Sequence, residues 1–221
     1  MDILLVRHGE SEGNAERRMQ GHLDLHLSET GRAQARALAN WLARNAIGWD
    51  AALTSPLARA RQTADLISNV AGSSTPEIEA DLAEIRAGSL EGLTREQMLE
   101  RFPSFLERPV TDLGDFSEFG GESYEEVQQR ARRVLAKLEQ LYRDPPRRVL
   151  LVGHGGMNFQ LLKLLICEPV PRVCILRMGN CSATLVRMRD RRGHYLGELV
   201  WHVPLELMGA QGGEGVAGIF R

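Results

Sequence analysis

Short apolar runs alternate along the chain with longer amphipathic stretches. The runs are continuous and end in polar residues or glycine, which is typical of strands buried in a parallel sheet. Such strands are predicted over 3–6, 49–53 and 148–152, with further extended pieces over 77–82, 183–188 and 195–200. The stretches between them repeat apolar residues at helical spacing. Helices are predicted from Ser28 onward, over 57–70, from Ser123 to about 141, and over 157–166.

Two of these helices have a well-defined apolar face. Ser28 has the side chain of an N-cap and opens the first of them. The core-facing residues predicted for this helix are Ala33, Ala37, Leu38, Trp41 and Leu42. For the helix that starts at Ser123 they are Val127, Ala131, Val134, Leu135, Leu138 and Leu141.

The alternation of strands and helices predicts an α/β protein, a three-layer α/β/α sandwich with a mostly parallel central sheet. The length of 221 residues suits a single domain, which we place at residues 1–207. Residues 94–122 interrupt the alternation and predict a lid beside the sheet, under which phenylalanines pack. The glycine-rich residues 208–221 are expected to form a mobile tail.

Composition excludes several classes of protein. A formal net charge of -2 gives no general attraction to nucleic acid or to an acidic membrane surface. No apolar run is long enough to span a bilayer, and no secretory signal is recognised at the start of the chain. Cys167, Cys174 and Cys181 are odd in number and form no Cys-x-x-Cys pair. We therefore expect a cytoplasmic protein with reduced thiols, without disulfides or structural zinc.

Histidines and arginines follow the predicted strands at their carboxyl ends, where parallel sheets bind ligands. Arg7 and His8 follow the first strand, Arg59 the second and His154 the third. Arginine forks match phosphoryl oxygens, and a neutral imidazole is a nucleophile near pH 7. A single histidine after a strand is more often structural. Two such motifs, each ending a buried strand, favour a phosphate site.

The segment 5–11, which includes Arg7 and His8, resembles the signature of the histidine phosphatase superfamily, the clan of cofactor-dependent phosphoglycerate mutases. Other segments resemble the remaining motifs of that clan, in the same order. They are 54–60, 83–86, 120–123 and 153–156. The resemblance covers about residues 2–200. It implies a phosphoglycerate mutase-like fold and phosphoryl chemistry through a phosphohistidine.

The resemblance also implies roles for individual residues. His8 is the nucleophile that becomes phosphorylated, and Glu84 donates a proton to the leaving oxygen and then activates water. Arg7, Arg59 and His154 hold the phosphoryl oxygens. Further contacts to substrate are expected from Asn14, Gln20, Gly21, His22 and Gly155, with Arg17 and Arg18 as additional candidates for substrate selection.

The composition of the predicted lid distinguishes between two reactions, hydrolysis of the phosphate ester and transfer of the phosphoryl group within a substrate. Residues 107–121 contain one basic residue, Arg108, and four acidic residues, which would repel a bisphosphorylated cofactor. Position 13 is glycine, where mutases of this clan usually carry tryptophan. We therefore expect a phosphoric monoester hydrolase of the histidine acid phosphatase type. Its substrate is a small phosphorylated metabolite, and it needs neither a metal nor another cofactor.

Two alternatives remain open from the sequence. One is phosphoglycerate mutase-type phosphotransfer, and the other is a catalytically silent binding module of the same fold, which the intact motif residues disfavour. His22 and His26 have the spacing of a metal pair on a helix, but the loop-like residues between them argue against a metal site. The expected partner is a small phosphate ester, with no nucleic acid and no membrane. Homodimer formation is left open.

Overall fold

The computed structural model describes residues 1–71, 75–109, 112, 114–142, 145, 147–167, 169–171, 176–191 and 194–208. Cys174 and the predicted tail from residue 209 onward lie outside these residues. Within them, a six-stranded sheet is flanked by helices. No helix in this part of the chain is long and apolar enough to cross a membrane.

Six strands form the central sheet. They are β1 (Asp2–Arg7), β2 (Ala51–Thr54), β3 (Glu77–Ile78), β4 (Arg148–Gly153), β5 (Ala183–Arg191) and β6 (His194–Val203). Their order across the sheet is β3-β2-β4-β1-β5-β6. The pairs among β1 to β4 are parallel, whereas β5 runs antiparallel to β1 and β6 to β5. The predicted mostly parallel sheet is therefore confirmed, with an antiparallel hairpin at one edge.

The described residues form seven α-helices. They are α1 (Glu12–Ala15), α2 (Glu29–Arg44), α3 (Ala58–Ala71), α4 (Arg95–Arg101), α5 (Tyr124–Tyr142), α6 (Gly155–Ile166) and α7 (Leu205–Met208). Leu4 and Val6 of β1 pack into a core with α2, α3 and α7. Ile3 and Leu5 pack on the other face with α5 and α6. Because successive strand residues alternate between faces, the sheet separates two cores and the predicted three-layer sandwich is confirmed.

The buried side of α2 differs from the prediction. Ala33 and Ala37 are exposed, whereas Ala35 and Ala39 are fully buried together with Leu38. Alanine occupies every second position from 33 to 39, so small apolar side chains lie on both sides of the helix. Helical spacing alone therefore does not determine which of the two sides is buried. The choice is made by packing against the core that α2 shares with α3 and the sheet.

Two element boundaries also differ. α6 begins at Gly155, two residues earlier than predicted, because His154 takes the N-cap position with an extended backbone. In the stretch 77–82, only the two residues of β3 pair with β2. The chain then turns in a short 3-10 helix over Ala80–Leu82, and this turn leads into the loop that carries Glu84.

One predicted strand boundary and one predicted core position are wrong. β2 begins at Ala51, so Trp49 precedes the strand and packs only partly buried against the core. Leu141, in the last turn of α5, is 49% exposed. The buried face of α5 runs instead from Leu138 to Tyr142, four residues further on and therefore on the same side of the helix.

The predicted lid, residues 94–122, contains α4 and short 3-10 turns. Its aromatic rings pack on one another. Phe119 makes edge-to-face contacts with Phe102 and Phe105, with ring centroids 5.5 and 5.7 Å apart. These residues belong to a small core that also holds Met98 and is separate from the two main cores. Phe102, Phe105 and Phe119 thus pack under the lid as predicted, whereas Phe116 packs against the same cluster and also lines the cavity described below.

Candidate active site

The carboxyl ends of β1, β2 and β4 bring the predicted residues to one cavity of about 460 Å³. Residues of α1 and of the lid, which includes α4, form its other walls. The predicted site residues that line it are Arg7, His8, Asn14, Gln20, Gly21, Arg59 and Glu84. His154 lies directly behind His8 and is fully buried. The histidines and arginines chosen from the sequence therefore meet at one point of the fold.

A second cavity, of about 560 Å³, lies at the amino-terminal edge of the sheet. Asp2 and Arg148 line it and form an ion pair with each other, and Asp2 also pairs with Arg187. No histidine or cysteine is among the described residues of its wall. The described part of this wall therefore has no imidazole, and the cavity at His8 is the candidate site for chemistry through a phosphohistidine.

His8 follows β1 and is 3% exposed. Its Nδ1 atom lies 2.6 Å from the carbonyl oxygen of Gly9. Since a carbonyl oxygen can only accept, this hydrogen bond assigns the proton to Nδ1 and leaves a lone pair on Nε2. Burial, and then the charges of Arg7 and Arg59, hold the pKa of His8 well below its ordinary value of 6.5. His8 is therefore neutral near pH 7, as a nucleophile must be.

Arg7 and Arg59 are both held by main-chain carbonyl groups. Arg59 is 1% exposed and donates from Nη1 to Leu23 at 2.6 Å and from Nη2 to Gly21 at 2.9 Å. Arg7 donates from Nη1 to Met178 at 2.7 Å. The Nε atom of each arginine is buried and has no partner within the described residues. Two fixed guanidinium groups with spare donors suit an anion with several oxygens.

His154 lies at the end of β4, with its ring centroid 5.1 Å from that of His8. Its Nε2 atom shares a hydrogen bond of 2.7 Å with the hydroxyl of Ser55, which follows β2. Its Nδ1 atom is buried without a partner in the part of the chain that the structure describes. Burial, followed by His8 and the two arginines, holds the pKa of His154 well below 6.5. His154 is therefore also neutral near pH 7.

The carboxylate of Glu84 reaches the amino-terminal end of α6. Oε1 accepts hydrogen bonds from the main-chain N–H groups of Ile85 and Met157 at 2.9 and 3.0 Å. Oε2 accepts one from Gly156 at 3.1 Å. A Cβ atom on Gly156 would lie 2.6 Å from Oε1, so a larger residue at this position would displace the carboxylate. The three donors fix the carboxylate in the cavity wall.

Arg130 of α5 holds the main chain that carries Glu84. Its guanidinium donates to the carbonyl oxygens of Asp81, Ala83 and Glu84. It also forms a buried ion pair with Glu122, in which Nη2 and Oε2 are 2.7 Å apart. Nothing in the local sequence pattern marks Arg130, because it lies 46 residues from Glu84 and reaches the loop only through tertiary packing.

Asn180 is a second supporting residue without a sequence signal. Its Nδ2 atom donates to the carbonyl oxygen of His8 at 3.0 Å and to Oδ1 of Asn14 at 3.1 Å. Oδ1 of Asn14 also accepts the main-chain N–H of Ser11 at 3.2 Å. The hydroxyl of Ser11 donates to Oε1 of Gln20 at 2.7 Å. This polar network fixes the loop between β1 and α2, which forms one side of the cavity.

Gly21, His22 and Gly155 take different places around the site. Gly21 lines the cavity with a φ of 48°, a left-handed conformation that favours glycine. His22 is exposed and directs Nε2 to the carbonyl oxygen of Glu84, 2.7 Å away. Gly155 opens α6 beside Arg7, where a Cβ atom would be 3.4 Å from Nε. His22 and Gly155 therefore adjoin the candidate catalytic groups and are not part of the cavity wall.

The sequence profile of the histidine phosphatase superfamily (branch 1) matches residues 3–197. The chain belongs to the histidine phosphatase superfamily. The resemblance carried by its motifs is thus confirmed. Among curated proteins, it is 33% identical over 160 residues to an uncharacterised phosphatase of Bacillus subtilis, covering 72% of this chain and 75% of that protein. It is also 33% identical over 186 residues to a probable phosphoglycerate mutase of Photorhabdus laumondii, covering 84% of each chain.

Solved structures of superfamily members share the fold. A mycobacterial glucosyl-3-phosphoglycerate phosphatase, determined as a complex with VO3, matches 90% of this chain and 96% of its own, with a TM-score of 0.75 and 31% identity. A phosphoserine phosphatase mutant from Entamoeba histolytica, in complex with phosphoserine, matches 93% of this chain and 98% of its own, with a TM-score of 0.71 and 27% identity. The phosphoglycerate mutase-like fold predicted for this superfamily member is confirmed.

Proposed function

We propose that this superfamily member is a phosphatase that hydrolyses the monoester of a small metabolite, with His8 as the nucleophile. The observation that carries the proposal is the position of a neutral, buried imidazole between two fixed guanidinium groups, Arg7 and Arg59. Each guanidinium has a buried Nε donor without a partner in the described residues. The similarity to phosphatases of small phosphate esters supports the same substrate class.

In the first step, a phosphate monoester binds with its phosphoryl oxygens on Arg7, Arg59 and His154. Nε2 of His8 attacks the phosphorus atom, and the bond from phosphorus to the alcohol oxygen breaks. Protonated Glu84 gives its proton to that oxygen, which is a poor leaving group as an alkoxide. The two arginines stabilise the charge on the phosphoryl oxygens in the transition state.

In the second step, water completes the cycle. The Glu84 carboxylate takes a proton from a water molecule, the water oxygen attacks phosphorus, and the bond to Nε2 of His8 breaks. The products are inorganic phosphate, neutral His8 and protonated Glu84, so the enzyme returns to its starting state. Arg7 and Arg59 supply the positive charge that metal ions supply in metal-dependent phosphoryl transfer. The proposed cycle therefore includes no metal.

The lid favours hydrolysis over transfer to a second substrate position. Arg108, the one basic residue of 107–121, donates to the carbonyl oxygens of Asp112 and Asp115. Its Nε atom also lies 3.9 Å from the carboxylate of Glu118. Arg108 is therefore engaged within the lid and does not offer a binding site for a second phosphate. The acidic residues around it would repel a bisphosphorylated cofactor.

The test is hydrolysis by the purified protein in the presence of EDTA. The substrates are p-nitrophenyl phosphate and a panel of sugar phosphates, phosphoglycerates, phosphoserine and nucleotide phosphates, and released inorganic phosphate is measured. We expect turnover that resists EDTA and is inhibited by vanadate. His8→Ala should abolish both turnover and acid-labile labelling by a radioactive phosphate ester. His26→Ala, which changes an exposed histidine in the same loop, should retain both.

Three results would contradict the proposal. Labelling that survives His8→Ala would remove His8 from its role. Interconversion of phosphoglycerates without release of phosphate would establish transfer in place of hydrolysis. Absence of turnover with every member of the panel would favour the silent binding module.

A further inference from the structure

Arg17 stands at a backbone position that favours glycine. α1 ends in a Schellman turn, in which the N–H of Arg17 donates to Asn14 at 3.1 Å and the N–H of Arg18 donates to Gly13 at 2.8 Å. Arg17 itself has a φ of 56°, the left-handed conformation usual for the residue after the C-cap. A side chain larger than glycine costs stability there. The conformation of the turn therefore does not itself favour an arginine at this position.

The side chain of Arg17 is exposed and lines the cavity described above. Arg18, its neighbour, is held by Glu16 at 2.6 Å and by the carbonyl oxygen of Gly92 at 2.8 Å. Arg17 has no side-chain hydrogen bond or ion pair among the described residues, although Glu96 lies within electrostatic range. Within the described part of the chain, no protein group therefore pairs directly with the positive charge of Arg17 at the rim of the cavity.

The walls of the cavity are apolar between its charged parts. Met19, Ile85, Met98 and Phe116 line it together with the catalytic candidates. His8 and Arg59 form the buried part, whereas Arg17 is exposed and therefore marks the opening. A ligand that fills the cavity would place a phosphoryl group at the buried end and a short carbon skeleton along the apolar wall. Its other end would meet the Arg17 guanidinium.

We propose that Arg17 determines substrate specificity by binding a carboxylate at the end of the substrate remote from the phosphoryl group. The substrate class is then a small phosphomonoester of a hydroxy acid. This inference rests on the proposed phosphatase function and narrows its substrates. A guanidinium binds a carboxylate through two parallel hydrogen bonds. A singly charged group suits this opening better than a second phosphate does, because the carboxylate of Glu96 lies within electrostatic range of Arg17.

The test uses two substrates that differ in one group, 3-phosphoglycerate and glycerol 3-phosphate, which carry a carboxylate and a hydroxymethyl group at the same carbon. The readout is the ratio of their kcat/KM values. In the wild-type protein we expect this ratio to exceed one. Arg17→Gly should lower it by about fivefold to tenfold, the range for a charge-assisted contact that is partly exposed. Arg17→Lys keeps the positive charge but cannot form two parallel hydrogen bonds to a carboxylate. Its ratio should therefore lie between those of the wild type and Arg17→Gly.

Two controls make the result specific. Arg95→Gln removes an exposed arginine of α4 that does not line the cavity, and it should leave the ratio unchanged. Glycine suits the left-handed backbone at position 17, so Arg17→Gly should unfold at a temperature no lower than the wild type. An unchanged ratio in Arg17→Gly would overturn the inference. So would a wild-type protein that hydrolyses p-nitrophenyl phosphate but does not favour 3-phosphoglycerate, whereas failure to hydrolyse any phosphoester would reject the proposed function itself.

Discussion

Gly31, in the first turn of α2, lies so close to Glu10 that a Cβ atom on Gly31 would be 1.9 Å from the Glu10 carbonyl oxygen. The contact is reciprocal, because a Cβ atom on Gly9 would lie 2.5 Å from the carbonyl oxygen of Gly31. The N-cap residue Ser28 donates its N–H to the same Glu10 oxygen at 2.9 Å. The amino-terminal end of α2 is therefore packed directly on the loop that carries His8.

Gly31→Ala tests this packing. In an exposed helix the change gains roughly 1 kcal/mol, because alanine has the higher helix propensity. Here we expect a loss of about 1–3 kcal/mol in the free energy of unfolding, since the new methyl group displaces the loop. The rate of phosphoester hydrolysis should fall as well, because His8 moves with that loop. Urea unfolding and the rate with p-nitrophenyl phosphate measure the two effects.

Gly48→Ala is the matched control for Gly31→Ala. A Cβ atom on Gly48 would have no heavy atom within 4 Å, so the change should be neutral or stabilising by about 0.4–1 kcal/mol. Equal stability of the two variants would show that the contact between Gly31 and Glu10 is not rigid.

The sequence was sufficient to predict which residues meet at the candidate site. Buried parallel strands have a local signature, and the residues after them meet at one edge of the sheet for geometric reasons. Arg7, His8 and His154 could therefore be placed together from two short segments. Glu84 was a different case, because a glutamate in a polar loop has no local signature, and only the resemblance to a family singled it out.

Other features depend on packing that no local pattern encodes. The buried side of α2 could not be chosen from its alternating alanines, and the core that it shares with α3 decides between Ala33 and Ala35. Arg130 and Asn180 approach the site from distant parts of the chain. Their roles depend on distances between elements, which periodicity does not specify.

The buried histidines should make the stability of the protein depend on pH. The pKa values of His8 and His154 are lowered chiefly by burial, so the folded protein resists protonation that the unfolded chain accepts. Stability is therefore complete above the ordinary histidine pKa of about 6.5 and falls as the pH decreases below it, by at most about 1.4 kcal/mol per pH unit for each histidine. Urea unfolding between pH 8 and pH 5 measures this slope.

Two comparisons test whether the pH dependence of stability comes from His8 and His154. His202 also has a pKa lowered by burial and contributes with the same sign, so the double variant His8→Asn/His154→Asn should keep only a smaller slope. Carboxyl groups whose pKa is lowered in the folded protein, such as Asp2, also stabilise it. Their contribution to stability is lost only at about pH 4 and below, outside this range. A slope unchanged in the double variant would contradict the assignment.

Glu84→Gln should slow the hydrolysis of a substrate more strongly when its leaving group needs protonation by an acid. The amide keeps the shape of the side chain, but its N–H protons are not acidic enough to be transferred to the leaving oxygen. An alkyl phosphate should lose about 10²–10⁴-fold in rate, the usual contribution of a general acid. p-Nitrophenyl phosphate should lose much less, because p-nitrophenolate leaves readily without a proton. The comparison of kcat for the two substrates is the measurement.

Asp81→Asn is the control for Glu84→Gln, since Asp81 lies in the same segment and its carboxylate binds the exposed Arg133 at 2.8 Å. It should slow neither substrate selectively. If Glu84→Gln slowed both substrates equally, the proton donor would have to be another group.

Arg130 and Glu122 supply the last prediction, because both are buried and each is the other's charge partner. Arg130→Met leaves the carboxylate of Glu122 buried without its cation and frees three carbonyl oxygens of the segment 81–84. We expect a loss of about 3–5 kcal/mol in the free energy of unfolding, as for other broken buried ion pairs.

Arg133→Met changes an arginine three residues further along α5, whose ion pair with Asp81 is exposed, and should cost only about 0–1 kcal/mol. Arg130→Lys keeps a charge for Glu122 but cannot reach all the carbonyl groups at once. It should therefore retain more stability than Arg130→Met and still slow alkyl phosphates more than p-nitrophenyl phosphate, because the loop that positions Glu84 is loosened. If Arg130→Lys slowed both substrates alike, Arg130 would support the fold without positioning the acid.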